Sequence, residues 1–357
     1  MDNATHTLCG LALARAGLDR FGPAATVTAV IAANLPDLDI VVHPLLGKPG
    51  YLCYHRGITH ALLGLAVESL LLATVVWFFA RKWHPDTRWS PFWLCAALGL
   101  ASHLGLDALN TYGVRPFLPF SERWYYGDAA FIMEPVMWLG FSLAALGASP
   151  TPLGRGTRNA WLLWSSTVFT VLLFAGKTPW WTAAVWAGGV AAGFALRSRG
   201  LSDRQRRRVA VGGIALALAY PLLLTLPLNR AAGARARAYV EQVAGPVASQ
   251  TVHPQPAAPW RQRAVVSTPE RTYVLEVNLW TGELEELESL ERRLDHPLLG
   301  YYVATQHDTP EYLAWRCFAR EPFVAEIASR TLVLGDARYV SEPTDAWCNV
   351  VIDVPDQ

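Results

Sequence analysis

The sequence predicts an α-helical polytopic membrane bundle followed by a small, mainly antiparallel α+β domain. Three observations predict this fold class. Hydrophobic residues make up 52% of the 357 residues and charged residues only 17%, long stretches carry no charge, and the last third is dense in Arg, Glu and Asp. A soluble protein of this length would need more charged residues to cover its surface. The chain therefore divides into a membrane part and a soluble part.

Six apolar segments have about the 20 residues that a transmembrane helix needs, and they predict six transmembrane helices. They are residues 61–80, 92–109, 131–148, 161–175, 180–196 and 209–228. Two shorter apolar segments, 8–18 and 24–35, are joined by a turn with Asp, Arg, Gly and Pro. These two segments predict a helical hairpin packed against the bundle.

The charges in the short connections predict the orientation. Loops at one end of the spans carry 13 Lys and Arg, and loops at the other end carry 5. Because positively charged loops are retained in the cytoplasm, we expect the chain after residue 228 to lie outside it. The first ten residues lack a positive segment leading into an apolar one, so no cleaved signal peptide is expected.

The predicted domains are a membrane domain (1–228), a Pro- and Ala-containing linker (229–259) and an exported α+β domain (260–357). Within the last, residues 273–279 and 301–304 are β-rich, and 310–328 contain a predicted helix. Cys317 and Cys348 would lie in this exported domain, where a disulfide is chemically permitted. Two unpaired thiols are equally compatible with the sequence.

The overall charge argues against nucleic acid as a partner. Thirty Lys and Arg nearly balance 29 Asp and Glu, which leaves a formal net charge of +1 and no basic footprint. The five Cys show no CxxC or Cys/His finger spacing, so a structural zinc finger is not expected either. Nothing in the sequence indicates a protein partner.

Histidine and aspartate residues interrupt the apolar segments mainly at one predicted end of the bundle. They are His6, Asp37, Asp39, His55, His60, His103 and Asp107. His103 and Asp107 are spaced i, i+4, so they share one helix face. Ionisable side chains within or at the edge of apolar spans cost free energy to bury, so they indicate function by default. Each motif alone has an ordinary interpretation as a hydrogen-bonded pair or a helix-ending turn. Because the topology brings all of them to the same end of the bundle, together they predict one metal site.

The predicted ligand set indicates the class of metal. Imidazole and carboxylate without thiolate suit zinc, with manganese or iron as alternatives. Seven ligands exceed the four of a single structural zinc, so one or two divalent ions are expected. Such ions would lower the pKa of a bound water and clamp the oxygens of a displacement at phosphorus.

Five segments carry a resemblance to a known family. THTLCG, NLPDLD, HRGITH and HLGLDALNTYG, followed by RPFLPFSERWYYGD, resemble in order and spacing the membrane-bound metal-dependent hydrolases, a bacterial inner-membrane family that includes a LexA-regulated member. The likeness spans about residues 1–136, and residues 260–303 look like the exported tail of its longer members. The opening TH and the PDxD element also look like zinc-dependent phospholipase C, a fainter likeness that hints at phosphoester chemistry.

The resemblance implies roles for particular residues. The seven His and Asp residues carry over as metal ligands, and Arg56 would contact the substrate or an oxyanion. Asp128, in WYYGDAAF, corresponds to an acidic position of the family and would be a ligand or base. Glu134 stands where Asp is usual in the family, which leaves its role less defined.

The expected function is a multi-pass inner-membrane hydrolase that uses metal-activated water on a phosphoester of a membrane lipid or lipid-linked molecule at the outer leaflet. The alternative is a non-enzymatic metal-binding transporter or scaffold. A transporter would be expected to show inverted repeats or helices broken at the midplane, and the sequence shows neither convincingly.

Overall fold

The structure is a computed structural model that describes residues 1–148, 155–174, 180–340 and 346–355. The chain divides into two compact units. The first unit comprises Met1–Leu38, Ile58–Leu226 and Gln255–Pro259, and the second comprises Asp39–Gly57, Pro227–Pro254 and Trp260–Gln357.

Twelve α-helices and seven strands form within the described residues. The helices are α1 (Asn3–Ala16), α2 (Pro23–Ala32), α3 (Val42–Tyr54), α4 (Leu62–Ala80), α5 (Ser90–Asp107), α6 (Pro135–Ser142), α7 (Arg155–Phe174), α8 (Trp180–Ser198), α9 (Asp203–Ala219), α10 (Leu226–Ala244), α11 (Pro297–Gln306) and α12 (Pro310–Phe318). The strands are β1 (Ser249–Gln255), β2 (Ala258–Ser267), β3 (Arg271–Asn278), β4 (Leu284–Glu291), β5 (Pro322–Ala328), β6 (Thr331–Asp336) and β7 (Val350–Asp353).

The chain begins with the helical hairpin that the sequence predicts. Asp2 starts α1, because its Oδ1 accepts hydrogen bonds from the backbone N–H groups of Ala4 and Thr5 at 3.0 Å. A 3-10 turn, Leu18–Phe21, connects α1 to α2, which begins with a proline at its first position. The two helices pack against each other.

Two helices of the described part of the chain are long and apolar enough to cross a membrane. They are α4 and the continuous helix Asp203–Ala244, which comprises α9, a π-helical turn and α10. A third span results if α2 and the 3-10 segment Leu35–Val41, bent by 47°, are taken together. The first two match the predicted segments 61–80 and 209–228, so membrane-spanning helices are supported.

The other four predicted segments fall on helices that do not meet this length and hydropathy requirement. Segment 131–148 corresponds to a shorter apolar helix, Pro135–Gly147, and segment 92–109 to α5. Segments 161–175 and 180–196 fall on α7 and α8, and residue 175 lies outside the described residues. The count of six spans stays a prediction.

Small residues bring α2 into close contact with its two neighbours. A Cβ on Gly10 of α1 would lie 2.9 Å from Val30 Cα, and a Cβ on Gly99 of α5 would lie 2.6 Å from the Cβ of Ala32. Both distances are shorter than real side chains permit, so only glycine allows this approach. The C-terminal end of α2 is therefore held between α1 and α5.

The second unit contains two sheets. The four-stranded sheet has the order β1-β2-β3-β4, with β2–β3 and β3–β4 antiparallel, and the three-stranded sheet β5-β6-β7 is antiparallel throughout. Apolar residues of α10, among them Ala236 and Val240, share a buried cluster with Val266 and Leu275 of the first sheet. The C-terminal antiparallel domain of the predicted fold class is thus confirmed.

Two local predictions for this domain differ from the structure. Residues 301–304, predicted as β-rich, lie in α11, because Pro297 begins a helix and Nδ1 of His296 accepts a hydrogen bond from the N–H of Leu298 at 3.2 Å. Leu299 and Tyr302, three residues apart, form its buried face. Residues 253–259, predicted as linker, lie at the end of β1 and the start of β2.

The cysteines of this domain are not joined to each other. Cys348 is buried, and the structure contains no disulfide between it and Cys317. The Sγ atom of Cys317 lies 3.9 Å from the carbonyl oxygen of Cys53, at the C-terminal end of α3. This contact accompanies the packing of α12 against α3 within the second unit.

Candidate metal centre

The centre is built first on α5. His103 and Asp107 follow one another by one helical turn, and both side chains are fully buried. Nε2 of His103 lies 3.6 Å from Oδ2 of Asp107. The i, i+4 spacing seen in the sequence therefore places an imidazole and a carboxylate on the same face.

Two 3-10 segments add the next two side chains. Asp37 lies in the segment Leu35–Val41 that follows α2, and His60 ends the segment Ile58–His60 that precedes α4. Nε2 of His60 lies 3.0 Å from Nε2 of His103, 3.5 Å from Oδ1 of Asp37 and 3.5 Å from Oδ2 of Asp107. Nε2 of His103 lies 3.6 Å from Oδ1 of Asp37. Elements remote in sequence thus meet at one point.

The spacing of these four atoms matches a tetrahedral ion. Ligand atoms at about 2.0 to 2.2 Å from a tetrahedral metal are separated by about 3.3 to 3.6 Å from one another. The five separations given above range from 3.0 to 3.6 Å. All four ligand atoms lie within 4.8 Å of one another. Asp37, His60, His103 and Asp107, which we call the ligand group, therefore fit one divalent ion.

The hydrogen bonds of the two Nδ1 atoms also favour a metal site. Nδ1 of His103 lies 2.8 Å from the carbonyl oxygen of Ala33, which can only accept, so Nδ1 carries the proton and Nε2 of the neutral ring presents a lone pair. Nδ1 of His60 lies 3.0 Å from Oγ1 of Thr59, which can accept in the same way. Two lone pairs and two carboxylates then face each other, an arrangement that a cation stabilises.

His6 lies beside the ligand group. Its ring stacks on His103 with centroids 3.8 Å apart, and its Nε2 lies 3.3 Å from Oδ1 of Asp107. The amino group of Met1 contacts the same oxygen. His6 thus approaches Oδ1 of Asp107, whereas His60 and His103 lie near Oδ2, so His6 is suited to orient this carboxylate.

Three further predicted residues lie in the second unit and interact with one another there. Nδ1 of His55 lies 2.7 Å from Oδ1 of Asp39, and the backbone N–H of Arg56 donates to Oδ2 of Asp39 at 3.0 Å. Tyr51 stacks on His55 with centroids 4.7 Å apart. Arg56 is 2% exposed and has a left-handed backbone conformation with φ of 56°. The ligand group itself does not include Asp39 or His55.

The two remaining predicted residues have different surroundings. Asp128 is half-buried with φ of 50°, in a segment whose next residue, Ala129, donates its N–H to the carbonyl of Leu109 at 2.8 Å. Glu134 is fully buried and caps α6: its Oε1 accepts from the N–H groups of Val136 at 3.2 Å and Ala257 at 3.1 Å. Neither belongs to the ligand group.

The groups that orient the imidazoles are not predicted from the sequence. The carbonyl of Ala33 is available because α2 ends at Ala32, and the last carbonyls of a helix lack partners within it. A backbone carbonyl leaves no residue-type signal. Thr59, which directly precedes His60, is visible in the sequence, and its hydroxyl can accept from an imidazole N–H.

A family model matches the first half of the chain. Residues 1–183, which include the whole ligand group, match the family model described as YdjM inner membrane protein. Protein YfhP of Bacillus subtilis (strain 168), described as uncharacterized, is 30% identical over 165 residues, which cover 42% of this chain and 48% of that protein. The chain therefore spans about half the length of this relative. No solved structure matches the chain.

Proposed function

Because the chain belongs to the YdjM inner membrane protein family, we propose that it is a membrane-bound metal-dependent hydrolase whose ligand group holds a divalent ion. The observation that carries the metal centre is the tetrahedral spacing of two Nε2 atoms and two carboxylate oxygens around one point. Hydrolysis would further require the ion to accept a water as a fifth ligand, because four protein ligands fill a tetrahedral zinc site. Four ligands at this spacing favour zinc over manganese or iron.

Some groups of the centre would bind the ion, and others would orient the side chains that bind it. His60 and His103 would bind through Nε2, because Oγ1 of Thr59 and the Ala33 carbonyl accept from their Nδ1 atoms. Asp107 would bind through Oδ2, and Nε2 of His6 lies 3.3 Å from its other oxygen. When bound, the ion supplies Lewis acidity that lowers the pKa of a water and neutralises developing negative charge.

The proposed substrate is a phosphoester of a membrane lipid or lipid-linked molecule. Apolar side chains flank the ligand group: Leu38 follows Asp37 and is 62% exposed, and Ile58 and Leu62 on either side of His60 are 50% and 54% exposed. Exposed apolar side chains next to a polar centre suit an amphiphilic substrate. The choice of phosphoester rests on the family resemblance given above.

Hydrolysis is tested with the detergent-purified full chain. We expect the zinc-loaded protein to release phosphate or a phosphorylated headgroup from at least one member of a panel of phospholipids and generic phosphodiesters, and chelator to abolish this turnover until zinc is restored. If the fully metal-loaded protein turns over none of them, the hydrolase proposal is contradicted while the metal centre still stands.

Arg56 is proposed to contact the phosphoryl group of the substrate. Arg56→Ala is then expected to lower turnover by about 100-fold with metal content unchanged, because the lost interaction is with developing negative charge. Arg56→Lys should recover only part of the loss, since an ammonium lacks the planar fork of a guanidinium. Because Arg56 is buried, its replacement could destabilise the fold, so thermal unfolding is measured for each variant. Turnover of a folded Arg56→Ala equal to wild type would remove the assignment.

We also propose that the chain after the second candidate span lies outside the cytoplasm, as the positive charges of the loops indicate. An alkaline phosphatase fused after Gly245 should be active, and a green fluorescent protein fused at the same point should stay dark. The reverse result would place the second unit in the cytoplasm and would contradict an outer-leaflet site.

A further inference from the structure

A second concave site lies in the first unit, at the other end of α1 from the ligand group. It is a cleft of about 570 Å³ between the turn that joins α1 to α2 and the first turns of α9. Arg15 follows His6 by nine residues, which is about 14 Å along a helix axis. The cleft is therefore separate from the metal centre.

The charge of the cleft is positive. Four guanidinium groups line it, those of Arg15, Arg20, Arg206 and Arg207, against two carboxylates. One carboxylate, Asp19, pairs with Arg15 at 3.3 Å. The other, Asp203, lies 3.9 Å from Arg206 but is 90% exposed, so this ion pair is weak and neutralises little of the arginine charge. The lining residues keep a surplus of two positive charges.

One helix N-terminus adds to this potential. Gly22 and Pro23, at the start of α2, line the cleft, and no side chain caps that end of the helix. The N-terminus of α9 also lies at the cleft, but Ser202 and Gln205 form a capping box there and Asp203 adds a carboxylate, so this end does not contribute. The partial positive charges of helix N-termini favour anions, and phosphate groups in particular. Arginine side chains provide the planar donors that phosphate oxygens accept.

An apolar surface continues from the cleft along α2. Val27 lines the cleft and is 54% exposed, and Ile31, one turn further on the same face, is 42% exposed. A soluble anion would leave this apolar surface exposed, whereas the acyl chain of a lipid would cover it. The cleft also belongs to the set of loops that the charge distribution assigns to the cytoplasmic side, where the leaflet is rich in anionic lipid.

We infer that this cleft binds a phosphate group, and that the ligand is the headgroup of an anionic phospholipid with its acyl chain against Val27 and Ile31. The ordinary role of arginine in such loops is retention on the cytoplasmic side, which requires charge but no pocket. Arg204 and Arg208 lie on α9 among the same residues but do not line the cleft. They provide a matched control of equal charge.

The test measures lipid binding by the full chain in mild detergent. Three proteins are compared: wild type, Arg20→Gln with Arg207→Gln, and Arg204→Gln with Arg208→Gln. Each is titrated with phosphatidylglycerol, with phosphatidylcholine and, in a separate arm, with inorganic phosphate, and bound ligand is counted by native mass spectrometry. Binding is read without reference to activity, so the result does not depend on the proposed hydrolysis.

We expect wild type and the control variant to prefer phosphatidylglycerol over phosphatidylcholine by at least about tenfold, and the cleft variant to lose this preference. Binding of inorganic phosphate that is lost only in the cleft variant, with no preference among lipids, would support the phosphate site but assign it a soluble ligand. Equal losses in both double variants, or no loss in the cleft variant, would overturn the proposal.

Discussion

Alanine at His60, His103 or Asp107 is expected to reduce the metal bound to the detergent-purified protein from about one ion per chain to less than about a tenth of that. Each residue supplies one of the four atoms of the ligand group, and removal of an orienting partner alone typically costs 10- to 100-fold in affinity. These side chains lie among polar partners, so helix packing should remain. Metal content is measured by mass spectrometry after desalting, with circular dichroism as the folding control.

His84→Ala is the matched control for this experiment. His84 is an exposed histidine in the loop after α4, and its loss should leave metal content unchanged. A graded effect is expected for Thr59→Val, which removes the acceptor for Nδ1 of His60 but no ligand atom. Wild-type metal content in all three alanine variants would show that the ligand group is a hydrogen-bonded network without an ion.

Gly99→Val is expected to weaken metal binding without removing a ligand or an orienting group. A Cβ at this position would lie 2.6 Å from the Cβ of Ala32 and 2.8 Å from the carbonyl oxygen of Ala29, so α2 must move away from α5. That movement displaces the Ala33 carbonyl, which orients His103, and Asp37, which follows α2. Overpacking of this kind costs about 1 to 3 kcal/mol, so thermal unfolding should also shift downward.

The same helix offers the control. Gly105 lies on α5 with nothing within 4 Å of an added Cβ, so Gly105→Val should keep both metal content and the unfolding temperature. If Gly99→Val and Gly105→Val behave alike, the close contact between α2 and α5 does not position the centre. A lower unfolding temperature with unchanged metal affinity would show that the contact stabilises the fold only.

Part of the centre could be predicted from the sequence because it depends on local geometry. One helical turn separates His103 from Asp107, and a proline directly before Asp37 ends the preceding helical pattern. The membrane character of α4 and the antiparallel C-terminal domain also follow from composition and pattern. Residues 301–304 could not be assigned in this way, because tyrosine and valine suit strands while the cap at His296 and Pro297 starts a helix.

The sequence by itself determined which residue types could bind a metal, that they collect near the ends of apolar segments, and that an apolar and a charged part follow one another. Only the tertiary structure decided that Asp37 and His60 join His103 and Asp107, whereas Asp39 and His55 pair with each other. The physical reason is that distances between remote segments depend on helix packing. Here that packing is set by the close approach of α2 to Gly10 and Gly99, where an added Cβ would clash, and no local pattern reports which helices meet there.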